Sequence, residues 1–342
     1  MTRGKKPILI DSGGVAIVST NAMSHMAKEA RKKLRSLGVD DIDFHCVDFT
    51  RFACGEVKPK ITKNVRAKDV YLFYDFKTGS FNDDLMNLCL TLDALHLASV
   101  GSITLVVPFL PYLRQDRKDE PRTPISAAVM IRMLQVCPSL KHLITVDMHS
   151  DQLQAVFTIS TDHLPGQVVM AEWARKRFAK KFAELVVVAP DFGSAKRVRK
   201  LADSIDTKLG VAILEKKRDA TEVEVLSIIG DSVLDKICLI NDDMMDTCST
   251  IIVAAKALYE QGAKKVVLTA THPVFSPKGG SSAYEKLAAA QVEVVVTDSL
   301  ATKKEEWLTV LPLAEYMAHT ILQHITRDGS VSNLIKGGIH GK

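Results

Sequence analysis

Short runs of apolar, mostly β-branched residues alternate along this chain with longer stretches whose apolar positions recur every three or four residues. The runs predict strands at Pro7–Ile10, Val70–Tyr74, Ile103–Val107, Leu143–Val146, Leu185–Ala189, Val211–Leu214, Ile237–Ile240, Lys265–Ala270 and Val292–Thr297. Several are apolar at every position rather than at alternate ones. A strand needs that composition when helices cover both faces of its sheet, so parallel α/β sheets are expected.

The periodic stretches predict helices at Ala22–Leu37, Leu85–Ser99, Ser126–Val136, Gln167–Phe182, Ala195–Ser204, Thr250–Gln261 and Leu313–Thr326. Repeated strand–helix alternation is the signature of doubly wound α/β folds. The polar stretch Ser160–Gly166, which carries Pro165 and Gly166, separates two similar sets of βα units. Two tandem Rossmann-like domains are therefore expected, residues 1–160 and 161–342, with the last helix packing back on the first. In such sheets ligands bind beyond the carboxyl ends of strands, which directs attention to the loops that follow them.

Composition narrows the class. Hydrophobic residues make up 46% and charged residues 25% of the 342, as in ordinary globular proteins. No apolar run reaches the roughly 18 residues of a membrane-spanning helix, and the start lacks a secretory pattern, so a cytoplasmic protein without a membrane partner is expected. A net charge of +5 is too small to argue for nucleic acid. The most basic stretch, Trp173–Phe182, spaces its cations as the solvated face of an amphipathic helix. The six cysteines show no CxxC pairing and read as free thiols rather than a zinc site.

The loop after Ile237–Ile240 runs through Asn241, Asp242, Asp243, Asp246, Thr247, Cys248 and Ser249 to Thr250, where a helix opens. Backbone N–H groups and hydroxyls at a helix start can hold a phosphate, while adjacent carboxylates accept hydrogen bonds from vicinal sugar hydroxyls. The plain alternative is an acidic turn with ordinary helix capping. Residues 112–126 gather Arg114, Gln115, Arg117, Lys118 and Arg122 after a strongly apolar strand. That cluster reads equally as a polyanion site or as a salt-bridged surface loop. Asp191, before Gly193 and Ser194, suits either Mg²⁺ or a helix cap.

These motifs carry a resemblance. The loop from Asp242 to Thr250 resembles the ribose-phosphate fingerprint shared by type I phosphoribosyltransferases and phosphoribosyl diphosphate synthetases. Y-x-RQDRK followed by R-x-PISA is similar to the ATP-binding signature of the synthetases alone. Further similarities lie in Arg51–Glu56, Asp147–His149, Asp191–Arg197, Lys216–Arg218, Asn82–Met86 and Asp328–Ser332. Ser249, Ser194 and Cys54 depart from the family pattern, which has glycine at the first two places and Asn or Asp at the third.

The resemblance implies a ribose-phosphate diphosphokinase, with an N-terminal ATP-binding domain and a C-terminal ribose 5-phosphate-binding domain, both of phosphoribosyltransferase type. It implies that Asp242, Asp243, Asp246, Thr247, Cys248, Ser249 and Thr250 seat the sugar phosphate. Phe52, Glu56, Arg114, Gln115 and His149 would contact ATP; His149 and Asp191 would hold Mg²⁺. Lys216 and Arg218, on a mobile loop, would stabilise the transition state. Arg122, Ser330 and Ser332 match positions tied to effector phosphate. A homo-oligomer, a hexamer built from dimers, is the family's form. The alternatives are a non-catalytic regulatory homologue and, further off, a phosphoribosyltransferase.

Overall fold

The computed structural model describes residues 14–218, 223–277, 282–326 and 329–338, with the side chains of Lys216, Lys217, Arg218, Val223 and Glu224 outside that set. The expected strand Pro7–Ile10 also falls outside it. The chain divides into two compact units after Leu164, and residues from Leu313 onward return to the first unit.

In the first unit β1 (Val15–Ser19), α1 (Ser24–Ser36) and the hairpin β2 (Ile42–Arg51) and β3 (Val57–Ile61) come first. They are followed by β4 (Asp69–Phe73), α2 (Phe81–Leu97), β5 (Ser102–Val106), α3 (Ser126–Leu134), β6 (Leu140–Val146) and β7 (Ser160–Leu164). The second unit holds α4 (Gln167–Phe178), β8 (Leu185–Ala189), α5 (Ala195–Ile205) and the hairpin β9 (Gly210–Arg218) and β10 (Val223–Gly230). It continues through β11 (Ile237–Met245), α6 (Ser249–Glu260), β12 (Lys265–Pro273), α7 (Ala283–Ala290), β13 (Glu293–Thr297) and β14 (Leu308–Leu311). Finally α8 (Ala314–Ile325) and α9 (Val331–Gly337) complete the first unit.

Among the described residues the strands form two seven-stranded sheets, ordered β3-β2-β1-β4-β5-β6-β7 and β10-β9-β8-β11-β12-β13-β14. The second order is the first shifted by seven strands, so one topology is used twice. In each sheet the neighbouring strands run parallel except for the edge hairpin, which is antiparallel. The fully apolar run of β8 behaves as its composition requires and is buried at every position, as is β1, which the sequence reading did not pick out. Helices cover them with apolar stripes. Val198, Leu201, Ala202 and Ile205 form the buried stripe of α5, each large side chain contributing roughly 1.5–3 kcal/mol through burial.

Three expectations are corrected. Ser160–Leu164, read as a polar linker, is β7, an edge strand whose backbone pairs in parallel with β6. Its polar composition reflects its half-covered edge position. Lys216, Lys217 and Arg218, read as a loop after a strand ending at Leu214, are the last residues of β9; Val225, Glu224 and Val223 of β10 lie opposite them in the ladder. The strand expected at Ile237–Ile240 runs on to Met245, because β12 pairs with it as far as Pro273. Asp242 and Asp243 therefore lie within the strand. The basic stretch of α4 is solvated as expected, with Arg175, Lys176 and Arg177 exposed opposite buried Ala171, Ala174 and Phe178. All six cysteines are free.

Candidate functional site

The order of each sheet reverses at its centre, and in the second unit that switch point lies between β8 and β11. Crevices open beyond strand ends at such points. The chain places Asp191 after β8 and the stretch from Asp242 to Thr250 at the end of β11.

Asp242 and Asp243 are held together by a residue the sequence reading did not single out. Arg197, on the first turn of α5, sends Nη1 to Asp242 Oδ1 and to Asp243 Oδ1, each at 3.1 Å. The Asp243 N–H also donates to Asp242 Oδ1 at 2.9 Å. Asp243 is 5% exposed and Arg197 27%. Burial, and then the neighbouring Asp243 charge, push the Asp242 carboxyl up to about 7 despite Arg197. When both are ionised, the two acids can accept hydrogen bonds from hydroxyls. The Arg197→Met chain should lose about 1–2 kcal/mol in a denaturant titration, since its removal strips the cation from two adjoining carboxylates. The value is kept low because Arg197 is partly exposed to solvent.

Between the strand and α6 the backbone turns at Cys248, which takes a left-handed conformation with φ +61°. No side chain caps α6 at this position, so capping by Thr247 or Ser249 does not account for the loop. The first-turn amides of α6 and its positive dipole end suit an anion. Cys248 is buried, and burial pushes its thiol up to about 12, so it is a packing residue rather than a nucleophile. Ser249 begins the helix and is exposed, with Lys286 Nζ of α7 3.4 Å from its hydroxyl. Lys286 thus adds a cation beside the turn.

Asp191 does act as a cap: Oδ1 accepts from the Ser194 N–H at 2.9 Å and from the Ser194 hydroxyl at 3.0 Å. Both bonds fall on one oxygen of an exposed carboxylate, so Oδ2 takes no part in the turn. Ser194 itself is buried and locks the turn through its own hydroxyl.

In the first unit the candidate residues sit on three strand ends. Phe52 and Glu56 form the turn between β2 and β3; the Phe52 N–H donates to the Glu56 carbonyl at 2.8 Å. Phe52 is 46% exposed, which excludes a core role, and Lys58 Nζ lies 5.8 Å from its ring centre. Gly55, with φ +98°, supplies the conformation the tight turn needs. After β5, Gln115 is tied to α3, its side-chain carbonyl accepting from the Ser126 hydroxyl at 2.5 Å. Tyr112 donates its hydroxyl to Asn82 at the start of α2. Arg114 and Arg122 are exposed, Arg122 with a left-handed backbone. After β6, Asp147 is left-handed and His149 is exposed. That turn is fixed by His163 of β7, whose Nε2 accepts from the Met148 N–H at 2.9 Å. Asp84 is a structural cap, accepting from the Lys77 N–H and the Ser80 hydroxyl at 2.8 Å each. Ser330 caps α9, accepting from the Asn333 N–H at 3.3 Å, and Ser332 is exposed. Among the described residues, no helix is long and apolar enough to cross a membrane.

Comparison with known proteins matches most of the chain's length. The N-terminal domain of ribose phosphate pyrophosphokinase matches residues 15–137, and a phosphoribosyl transferase domain matches residues 161–309. A ribose-phosphate pyrophosphokinase of Campylobacter jejuni is 36% identical over 324 residues, covering 94% of this chain and 99% of the relative. The chain belongs to the ribose-phosphate pyrophosphokinase family.

A second family member, from Chromobacterium violaceum, is 38% identical over 301 residues, 86% of this chain and 88% of its own. The crystal structure of the phosphoribosylpyrophosphate synthetase from Mycobacterium smegmatis matches with a TM-score of 0.79 at 30% identity. It covers 91% of this chain and 98% of that one. The two sheets, each covered by helices, are thus the family's phosphoribosyltransferase-type domains.

Proposed function

We propose that this family member transfers the diphosphoryl group of ATP to the anomeric hydroxyl of ribose 5-phosphate, giving phosphoribosyl diphosphate and AMP. The observation that carries the reading is the end of β11: two joined carboxylates, a left-handed turn and an uncapped helix start in succession. In this proposal Asp242 and Asp243 accept the ribose hydroxyls, while Asp246, Thr247, Cys248, Ser249 and Thr250 wrap the 5-phosphate. The negative phosphate then faces the positive end of α6.

Phe52, with its exposed ring, stacks the adenine, and Glu56 closes the same turn. Arg114 and Gln115 contact the nucleotide, and the bond from Ser126 to Gln115 holds that loop in place. Mg²⁺ is proposed as the cofactor; in the second unit the Oδ2 of Asp191 offers the hard oxygen it prefers, and in the first unit His149 is the candidate ligand beside ATP. When bound, the ion neutralises charge on the phosphate oxygens. The chain's own part is to align the anomeric oxygen with the β-phosphorus and to supply cations where charge develops, the role of Lys216 and Arg218. The anomeric O–H bond breaks, the new O–P bond forms, AMP leaves and one proton is released.

Arg122, Ser330 and Ser332 are proposed to serve an effector phosphate. A homo-oligomer, a hexamer of dimers, is also proposed. The adjoining α2 and α3 support an assembly of copies, since they expose Met86, Leu90 and Leu97 on one and Val129 and Met133 on the other.

The test is a coupled assay for AMP and phosphoribosyl diphosphate from ATP, Mg²⁺ and ribose 5-phosphate. Equal amounts of the two products are expected. Absence of both from folded protein that binds ATP would replace this reading with the regulatory homologue.

A further inference from the structure

Away from every residue assigned above, the first unit brings together His142 of β6, Asp162 of β7 and His324 of α8. His142 Nε2 lies 2.9 Å and His324 Nε2 2.5 Å from the same oxygen, Asp162 Oδ2. Their ligating atoms all fall within 4.8 Å of one another, the one such group of three among the described residues. The imidazole rings are 4.2 Å apart between centres, at 64° to each other. All three side chains are partly exposed, at 24%, 19% and 14%, so a cation can reach them from solvent.

We infer that these three side chains form a binding site for a divalent transition cation of the zinc class. Two imidazole nitrogens and one carboxylate oxygen are a donor set that Zn²⁺ takes, with a fourth position for water. Mg²⁺ prefers an octahedron of oxygens, which separates this site from the cofactor of the reaction. Bonds of about 2.1 Å to a tetrahedral ion place its donors roughly 3.4 Å apart. The trio needs to open by less than about 1 Å from its hydrogen-bonded state, which side-chain torsions supply. To ligate the cation each imidazole presents the Nε2 lone pair, so any proton there moves to Nδ1 or is released to solvent.

The placement also says what the ion does. His324 and Asp162 are 162 positions apart, and the chain passes through the whole second unit between them. A cation bound to both fastens α8 to the edge strand β7 and closes that long loop. Closure of long loops is where a cross-link removes most entropy from the unfolded chain.

The experiment uses the full chain stripped with EDTA and titrated with Zn²⁺ in a calorimeter, without nucleotide. Expected are one equivalent bound with a micromolar or lower Kd, and at least tenfold weaker binding in both His142→Gln and His324→Gln. Saturating Zn²⁺ raises the Tm of the unaltered chain by several degrees and leaves that of the two variants in place. Unchanged stoichiometry and affinity in His142→Gln overturn the inference. If His324→Gln does not fold, Co²⁺ added to the unaltered chain decides. Intense visible bands of a tetrahedral ion, lost in His142→Gln, support the site. Their absence from the unaltered chain refutes it.

Discussion

The Lys216→Ala chain is expected to bind ribose 5-phosphate as before and to lose about 10²–10³-fold in kcat. In diphosphoryl transfer the protein does little covalent chemistry, and charge spreads over the oxygens of the group in flight. A cation there matters most at the transition state, so its loss lowers kcat and leaves KM for the sugar phosphate near its original value. The fold should tolerate the change. Lys216 lies on β9, whose pairing with Val225 of β10 is made by backbone groups that alanine also carries. Lys216→Arg should recover part of the rate, since it restores charge with a different reach. The measurement is AMP release under saturating ATP, with circular dichroism as the check on folding. A kcat within threefold of the original would remove Lys216 from the catalytic role.

The Asp242→Asn chain should show the opposite pairing of effects, a more stable apo-protein and a weaker site. Burial and Asp243 raise the Asp242 carboxyl from 3.8 to about 7. Below pH 4 it is protonated in folded and unfolded chains alike. Between about pH 4 and 7 the folded chain keeps the proton that the unfolded chain gives up. Stability from this group is therefore complete at low pH and is lost as pH rises towards 7, by about 3 kcal/mol after allowance for its partly exposed side. The variant has no such loss. Above pH 7 it should be about 2 kcal/mol more stable, a Tm increase of about 5 °C. It should also bind ribose 5-phosphate about 10–100-fold more weakly, because a charged acceptor is gone from the sugar hydroxyls. Thermal melts at pH 4.5 and pH 8, with and without the sugar phosphate, check both halves. A variant that melts lower than the unaltered chain at pH 8 would show that Asp242 stabilises the site rather than straining it.

The α/β alternation was legible because buried parallel strands must be apolar throughout, and β8 is read from the sequence to the residue, Leu185–Ala189. β1 was missed although it is buried at every position, and the other elements that escaped obey a weaker rule. The hairpin of β2 and β3 mixes charged and apolar residues, and the edge strand β7 is mostly polar, so neither carries the buried-strand signature. The doubled sheet order was invisible for the same reason: its clearest marks are the edge hairpins.

For the site, the sequence by itself determined which residues lie near the carboxyl ends of strands, though not where each strand stops. Motif spacing fixes the order of Asp191, Asp242, Thr247 and His149 along the chain, and parallel topology sends them to the carboxyl edges of the sheets. Only the tertiary structure decided which partners they meet. Arg197 reaches Asp242 and Asp243 because β8 and β11 are neighbours, a fact of sheet order that lies 45 positions away in sequence. His142, Asp162 and His324 show no metal spacing because their meeting depends on strand register and on α8 returning to the first unit. Local spacing records what one strand or helix turn can hold together, whereas contacts between distant segments arise from packing and have no period to read.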